Sequence, residues 1–184
     1  MQPRLALLLG QLDDAYRTIR SRVEDLSDQE FWWTPVEEVW TIRQTGRGTW
    51  AADYQEPDPD PAPFTTIGWR LVHVAECKLM YHEYAFGEAR LTWPDLDSPH
   101  TASEAILALD RGHELITGAL RNFDEELLDR PVQTNWGESW PSWQVFRTMI
   151  HHELWHGGEI GVLRDLFRVQ HSRELGESDL PGSI

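Results

Sequence analysis

The 184-residue chain has one lysine, Lys78, and one cysteine, Cys77. Its 16 basic residues stand against 31 acidic ones, for a formal net charge of −15, so no cluster of Lys and Arg is available to follow a phosphate backbone. Nucleic acid is therefore not an expected partner. A lone cysteine cannot close an internal disulfide. The N-terminal stretch MQPRLALLLGQLDDAYRTIR lacks the apolar run and small-residue cleavage site of a secretory leader. No segment approaches the ~20 apolar residues of a membrane span. The expected compartment is the cytoplasm, with no membrane partner. With 40% hydrophobic residues, the chain is long enough for one sizeable core and one domain covering 1–184.

Helical periodicity is what the chain does have. Leu5, Leu8, Leu9, Leu12, Tyr16, Ile19, Val23 and Leu26 recur every three or four residues, which predicts an amphipathic helix from Arg4 to about Leu26. Ser27 and Pro35 punctuate the segment after it. Two β-branched and aromatic runs then flank Thr45-Gly46-Arg47-Gly48, where a small hairpin is expected. The segment EPDPDPAPF alternates proline with acid, forbids helix, and reads as an extended surface loop. A second helix is expected from about Thr66 to Gly87. A third should span Ala102 to Phe123 behind a capping box from Thr101 to Glu104. The fourth opens at Ser139-Trp140-Pro141-Ser142 and lasts to about Arg168. The tail from Val169 to Ile184 reads as loosely ordered. These patterns make an all-α four-helix bundle with a long first connection that carries the hairpin. Ten tryptophans are many for this length and are expected to fill core and cover loops.

His152 and His156 stand four residues apart, which places them on one helical face with Cβ atoms roughly 6 Å apart. Val145, Met149, Ile160 and Leu163 share that face, so it points into the core. His73 lies in WRLVHVAECKLM, on another mostly apolar helix. A buried neutral imidazole needs partners for both ring nitrogens, and one cation supplies them for several rings at once. His73, His152 and His156 are therefore expected to hold one divalent metal ion. Imidazole suits zinc, nickel, iron and copper alike, and zinc is the first choice, with nickel or iron as alternatives. Cys77, one turn from His73, reads as a small buried apolar group. Glu76 and Glu159 each lie about one turn from a ligand, and are the candidates for orienting an imidazole or acting as a base. His151 falls about a hundred degrees from His152, outside the site. His82, His100, His113 and His171 lie in polar or loop surroundings and are expected at the surface.

His152-Glu153-Leu154-Trp155-His156 spells the H-E-x-x-H of zinc metallopeptidases, in which Glu153 would be the base. The longer metzincin spelling fails, because Glu159 and Val162 occupy its glycine and third histidine. A carboxylate such as Glu174 or Glu177 is the other conceivable third ligand. No sheet edge is evident to hold a peptide. Helical register also turns Glu153 away from the shared face of the two histidines, and leaves it without an assigned role.

From the first helix to about Arg168 the chain resembles the DinB-like superfamily of bacterial four-helix proteins. The most specific part is His152-Glu153-Leu154-Trp155-His156-Gly157-Gly158-Glu159-Ile160, similar to that family's final-helix pattern of two ligand histidines and a short Gly-containing stretch. His73, in Leu71-Val72-His73-Val74-Ala75-Glu76, takes the place of the second-helix ligand. Many members carry Arg and Gln where this chain has Gly157 and Glu159. The first connection, Trp40 to Phe64, is longer than usual, and its tryptophans either cover the site mouth or pack beside it.

The resemblance implies a metal-dependent transferase that joins a low-molecular-weight thiol, mycothiol-like, to an electrophilic small molecule in detoxification. Three neutral imidazoles leave at least one coordination position open. A thiol or a water there would be activated alike, so a metal-dependent hydrolase and a non-catalytic metal-binding bundle stand as alternatives. A homodimer is a further expected assembly.

Overall fold

The computed structural model describes residues 2–178 apart from 56 and 58, with side chains as far as residue 172. Helix α1 spans Pro3–Arg22 and a short helix α2 spans Asp28–Trp32. Four short strands follow, β1 Val39–Trp40, β2 Ile42–Gln44, β3 Trp50–Ala52 and β4 Phe64–Thr65. Helices α3 Ile67–Phe86 and α4 Ala102–Arg121 come next, then β5 Pro131–Gln133, β6 Ser139–Pro141 and α5 Ser142–Ser178. The architecture is the expected all-α bundle with small hairpins. No described helix is long and apolar enough to cross a membrane.

Local chemistry sets the helix ends. Pro3 opens α1, where its fixed φ and missing N–H cost nothing. The Thr66 hydroxyl accepts the Trp69 N–H at 3.1 Å and starts α3, which stops at Gly87. Thr101 accepts from Glu104 N–H at 3.2 Å, while the Glu104 carboxylate accepts the His100 N–H rather than closing the box on Thr101 itself. A complete capping box sits instead on α2, where Ser27 and Glu30 each accept the other's backbone N–H. Helix α5 runs through the segment from Val169 to Ser178 that was expected to be loose, because no proline interrupts it and Gly176 is its only glycine beyond Gly161. Residues 179–184 lie outside the described residues.

The hairpin expected around Thr45 to Gly48 is present, with Arg43 opposite Ala51 and Gly48 at φ +84° in its turn. The polar connection after α4 also folds into a hairpin, β5 with β6, turning at Gly137, φ +86°. Strand β1 pairs in parallel with β4, closing the long first connection onto the start of α3. Between β3 and β4 the proline-acid segment forms no helix or strand in its described residues; Glu56 and Asp58 lie outside them.

Cross-helix contacts fix the topology as up-down-down-up. Gly157 meets Ile19 and Gly161 meets Arg22, so α5 runs with α1. Asp13 and Tyr16 of α1 bond His113 and Asp110, so α4 runs against α1. Gly112 faces Lys78 and Phe123 packs on Phe86, so α3 runs with α4. Because α3 and α4 are consecutive and parallel, the connection between them, residues 87–101, is the crossover that this order demands. Arg164 locks α5 onto the end of α1: Nη1 donates to the carbonyls of Arg22 at 2.9 Å and Glu24 at 2.7 Å, and Nε donates to Glu30 Oε1 at 2.9 Å. Burial raises the Glu30 carboxyl, but the bonds from Arg164 and Ser27 outweigh it and hold the group below the usual carboxylate range.

The core is two apolar blocks. One gathers Ile19, Val23, Leu71, Val72, Leu109 and Ile160; the other gathers Leu5, Leu12, Ile116, Leu120, Phe146 and Met149. Between them, on all four long helices, lies a polar layer of Tyr16, Lys78, Asp110, His113 and Glu153.

Candidate metal centre

His73 comes from α3 and His152 and His156 from α5, so the antiparallel packing of these two helices makes the site. Their apolar neighbours place them: Val145, Met149, Ile160 and Leu163 are all buried along α5, as the shared face required. His152 Nε2 lies 3.1 Å from His73 Nε2 and 3.2 Å from His156 Nε2. All three ligand atoms lie within 4.8 Å of one another. Nitrogens each ~2.0–2.1 Å from one ion sit about 2.9 Å apart at right angles and about 3.4 Å apart at tetrahedral angles. Both spacings from His152 fall between these values, as a cation shared by the three imidazoles requires.

Protonation agrees with geometry. Burial, reinforced by His156 and by Arg70, holds His73 down at about 3. His152 is lowered to about 2, by burial and then by His73 and His156. His156 is lowered to about 4, by burial and then by Arg70. All three are therefore neutral at pH 7, the form that binds a metal. His156 Nδ1 lies 2.6 Å from Glu159 Oε2, and Arg70 Nη1 also donates to that carboxylate. The carboxylate can only accept, so its 2.6 Å contact assigns the His156 proton to Nδ1 and leaves Nε2 as a lone pair; Arg70 Nη1, 3.3 Å from the same Nδ1, then serves Glu159 instead. His152 Nδ1 is buried with no hydrogen-bond partner among the described residues.

Two indoles hold the ligand rings in plane. Trp69 stacks on His73 with centroids 4.7 Å apart, and its Nε1 donates to the Asp53 carbonyl at 2.8 Å. Trp155 stacks on His156 at 5.2 Å. In the long first connection Trp40 packs against Trp69, so this tryptophan backs a ligand's neighbour, whereas Trp50 packs against Trp32 and His100.

Of the two carboxylates named from sequence, Glu159 orients His156 and is occupied by it and by Arg70. Glu76 turns elsewhere and accepts the Ser98 hydroxyl at 2.6 Å. Burial pushes the Glu76 carboxyl up to about 7 against that opposing bond. Cys77 Sγ is 3.8 Å from His73 Nδ1, and burial pushes its thiol up, so it is a neutral side chain. Glu153 is fully buried and faces Lys78. Burial raises the Glu153 carboxyl and lowers the Lys78 ammonium, each opposed by the other's charge. Register thus turns Glu153 from the ion, and a peptidase base has no place here. The Glu174 and Glu177 side chains lie outside the described residues.

His151 is exposed and apart, as expected. The four histidines assigned to the surface are instead half-buried: His113 stacks on Tyr16 at 3.9 Å and bonds Asp13, His100 stacks on Trp50, His82 packs on Phe86 and His171 packs on Phe167. A polar neighbourhood in sequence did not make a polar neighbourhood in space.

A cavity of about 610 Å³ opens beside His73, walled by Tyr54, Trp69, Glu76, Cys77, Tyr81 and Trp136 among others. Among the described residues, no Lys or Arg lines it. Part of its wall, Ala51 to Tyr54, belongs to the long first connection, which therefore shapes the approach to the site.

No curated protein matches the chain. The fold, the final-helix histidine pair and the second-helix histidine converge with a family model, described as the DinB superfamily, that matches residues 11–160; the chain belongs to the DinB superfamily.

Proposed function

We propose that the protein is a metal-dependent transferase that joins a low-molecular-weight thiol, mycothiol-like, to an electrophilic small molecule. The observation that carries this reading is a three-imidazole set, with no fourth side chain closing it among the described residues, beside a 610 Å³ cavity. His73, His152 and His156 would hold one divalent ion, zinc in preference to nickel or iron. A bound divalent ion supplies a positive charge that stabilises a thiolate over a thiol.

The chain's own residues supply the rest. Glu159 and Arg70 fix the His156 tautomer, and Trp69 fixes the plane of His73. Glu76, with its carboxyl near 7, is suited to take the thiol proton inside the cavity. Aromatic walls exclude water and accept a flat electrophile. With no basic side chain in its described lining, the cavity favours an uncharged thiol over a carboxylate-rich one. In the transfer a sulfur–carbon bond forms, the carbon–halide bond of an aryl or alkyl halide breaks, halide departs, and the thiol proton ends on Glu76.

The test is conjugation by zinc-loaded protein of an aryl halide with a panel of uncharged and anionic thiols, read by mass spectrometry of the thioether. Product should form with an uncharged thiol and disappear in His73→Ala. Absence of thioether from every thiol would remove transfer as the function.

A further inference from the structure

The H-E-x-x-H spelling leaves Glu153 with no part in holding an ion, and Lys78 is the chain's sole lysine; each is the other's partner. Lys78 Nζ donates to Glu153 Oε1, with the two side chains 1% and 0% exposed. The other two long helices build the place for them. Tyr16 of α1 presents its ring 5.6 Å from Nζ, and is itself held by its 2.7 Å hydroxyl bond to Asp110 and by stacking on His113. Gly112 of α4 leaves room for the lysine stem: a Cβ there would lie 3.0 Å from Lys78 Cδ and 3.2 Å from Lys78 Cβ.

A buried ion pair adds little stability, because both charges give up their hydration and a matched apolar pair often does as well. Here Glu153 Oε2 has no hydrogen-bond partner among the described residues, which makes the arrangement costlier still. What such a pair does supply is direction. Apolar blocks on either side tolerate sliding, but a one-residue slip of α5, about 1.5 Å and 100°, would leave both charges buried and unpaired. A single buried polar residue sets the register of a coiled coil by the same physics. The pair is also adjacent to the ligands. Lys78 follows His73 by five residues on α3, and Glu153 lies between His152 and His156 on α5.

We propose that Lys78 and Glu153 are positioning residues whose pairing fixes α3 against α5, and so brings His73 into register with His152 and His156. The role rests on the reading of these histidines as metal ligands, and its test separates the two.

Lys78→Met/Glu153→Leu in the full chain keeps volume and leaves no charge unpaired. Three readouts apply: the thermal midpoint, cobalt(II) binding with its visible d–d spectrum, and ring-proton NOEs between His73 and His152 in the metal-free protein. Those rings have centroids 4.8 Å apart. The double variant should melt no lower than wild type, yet bind cobalt(II) about 10–100-fold more weakly with an altered spectrum. Its His73–His152 NOEs should weaken. Wild-type affinity, spectrum and NOEs in the double variant would overturn the proposal. If the wild-type protein binds no cobalt but the NOEs are lost in the double variant, the metal reading fails and the positioning role stands. Should the double variant not fold, Gly112→Ala decides, since it presses on the lysine stem while keeping both charges. Severalfold weaker cobalt binding without a lower melting point supports positioning; unchanged binding contradicts it.

Discussion

Arg164 and His156 are two turns apart on α5, and both are buried, yet their surroundings are opposite. Every guanidinium nitrogen of Arg164 donates: Nε and Nη2 to Glu30, Nη1 to two carbonyls at the end of α1. Around His156, three Nε2 atoms face one another, and His152 Nδ1 and Arg70 Nε are buried with no partner among the described residues. A polar group whose bonds are all made is part of the scaffold. Converging acceptors held neutral have the chemistry of a ligand set, and the scaffold sustains their cost.

The largest effect that sharpens this contrast is on stability. Arg164→Met leaves the Glu30 carboxylate buried alone and the α1 carbonyls unbonded, and should cost about 3–5 kcal/mol in urea unfolding at pH 7. His73→Ala in the metal-free protein should cost less than that. A reversed order would erase the distinction between scaffold and site.

A smaller effect is pH. The three histidines have folded-state values of about 3, 2 and 4, below the ~6.5 of an unfolded chain. From pH 6.5 down to about 4 the unfolded chain therefore binds protons that the folded metal-free protein does not, and stability falls as pH falls. The loss from pH 7 to 5.5 should be roughly 1 kcal/mol per histidine. The Glu30 carboxyl, held below its ordinary range, contributes nothing in that window, since its stabilisation is lost only at lower pH. In unfolding curves, His73→Ala/His152→Ala/His156→Ala should remove roughly 3 kcal/mol of the loss between pH 7 and 5.5, leaving the opposed contributions of His113, lowered to about 4 by burial, and Glu76, raised to about 7 by burial; a slope equal to wild type would contradict the assignment.

Much of this was legible in the sequence for a physical reason. The periodicity of α1, α3, α4 and α5 records which face is buried, and the same faces carry His73, His152 and His156. What depends on pairing across the chain was not. Glu153 and Lys78 are 75 residues apart, and nothing in either segment names the other. Arg70 and Glu159 stand one turn from their ligands, so their neighbourhood was readable, but not that they bind each other over His156. His113 was assigned by its polar neighbours, whereas Tyr16 of another helix decides its burial. Two missed elements were spelled out locally: the Ser27-to-Glu30 capping box of α2, and Gly137 in the β5–β6 turn.

The most direct measurement is metal stoichiometry. Wild-type protein equilibrated with zinc and desalted should retain one zinc per chain by elemental analysis, and His73→Ala/His152→Ala/His156→Ala should retain none. A wild-type protein without zinc, or a triple variant that keeps it, would contradict the three-histidine centre.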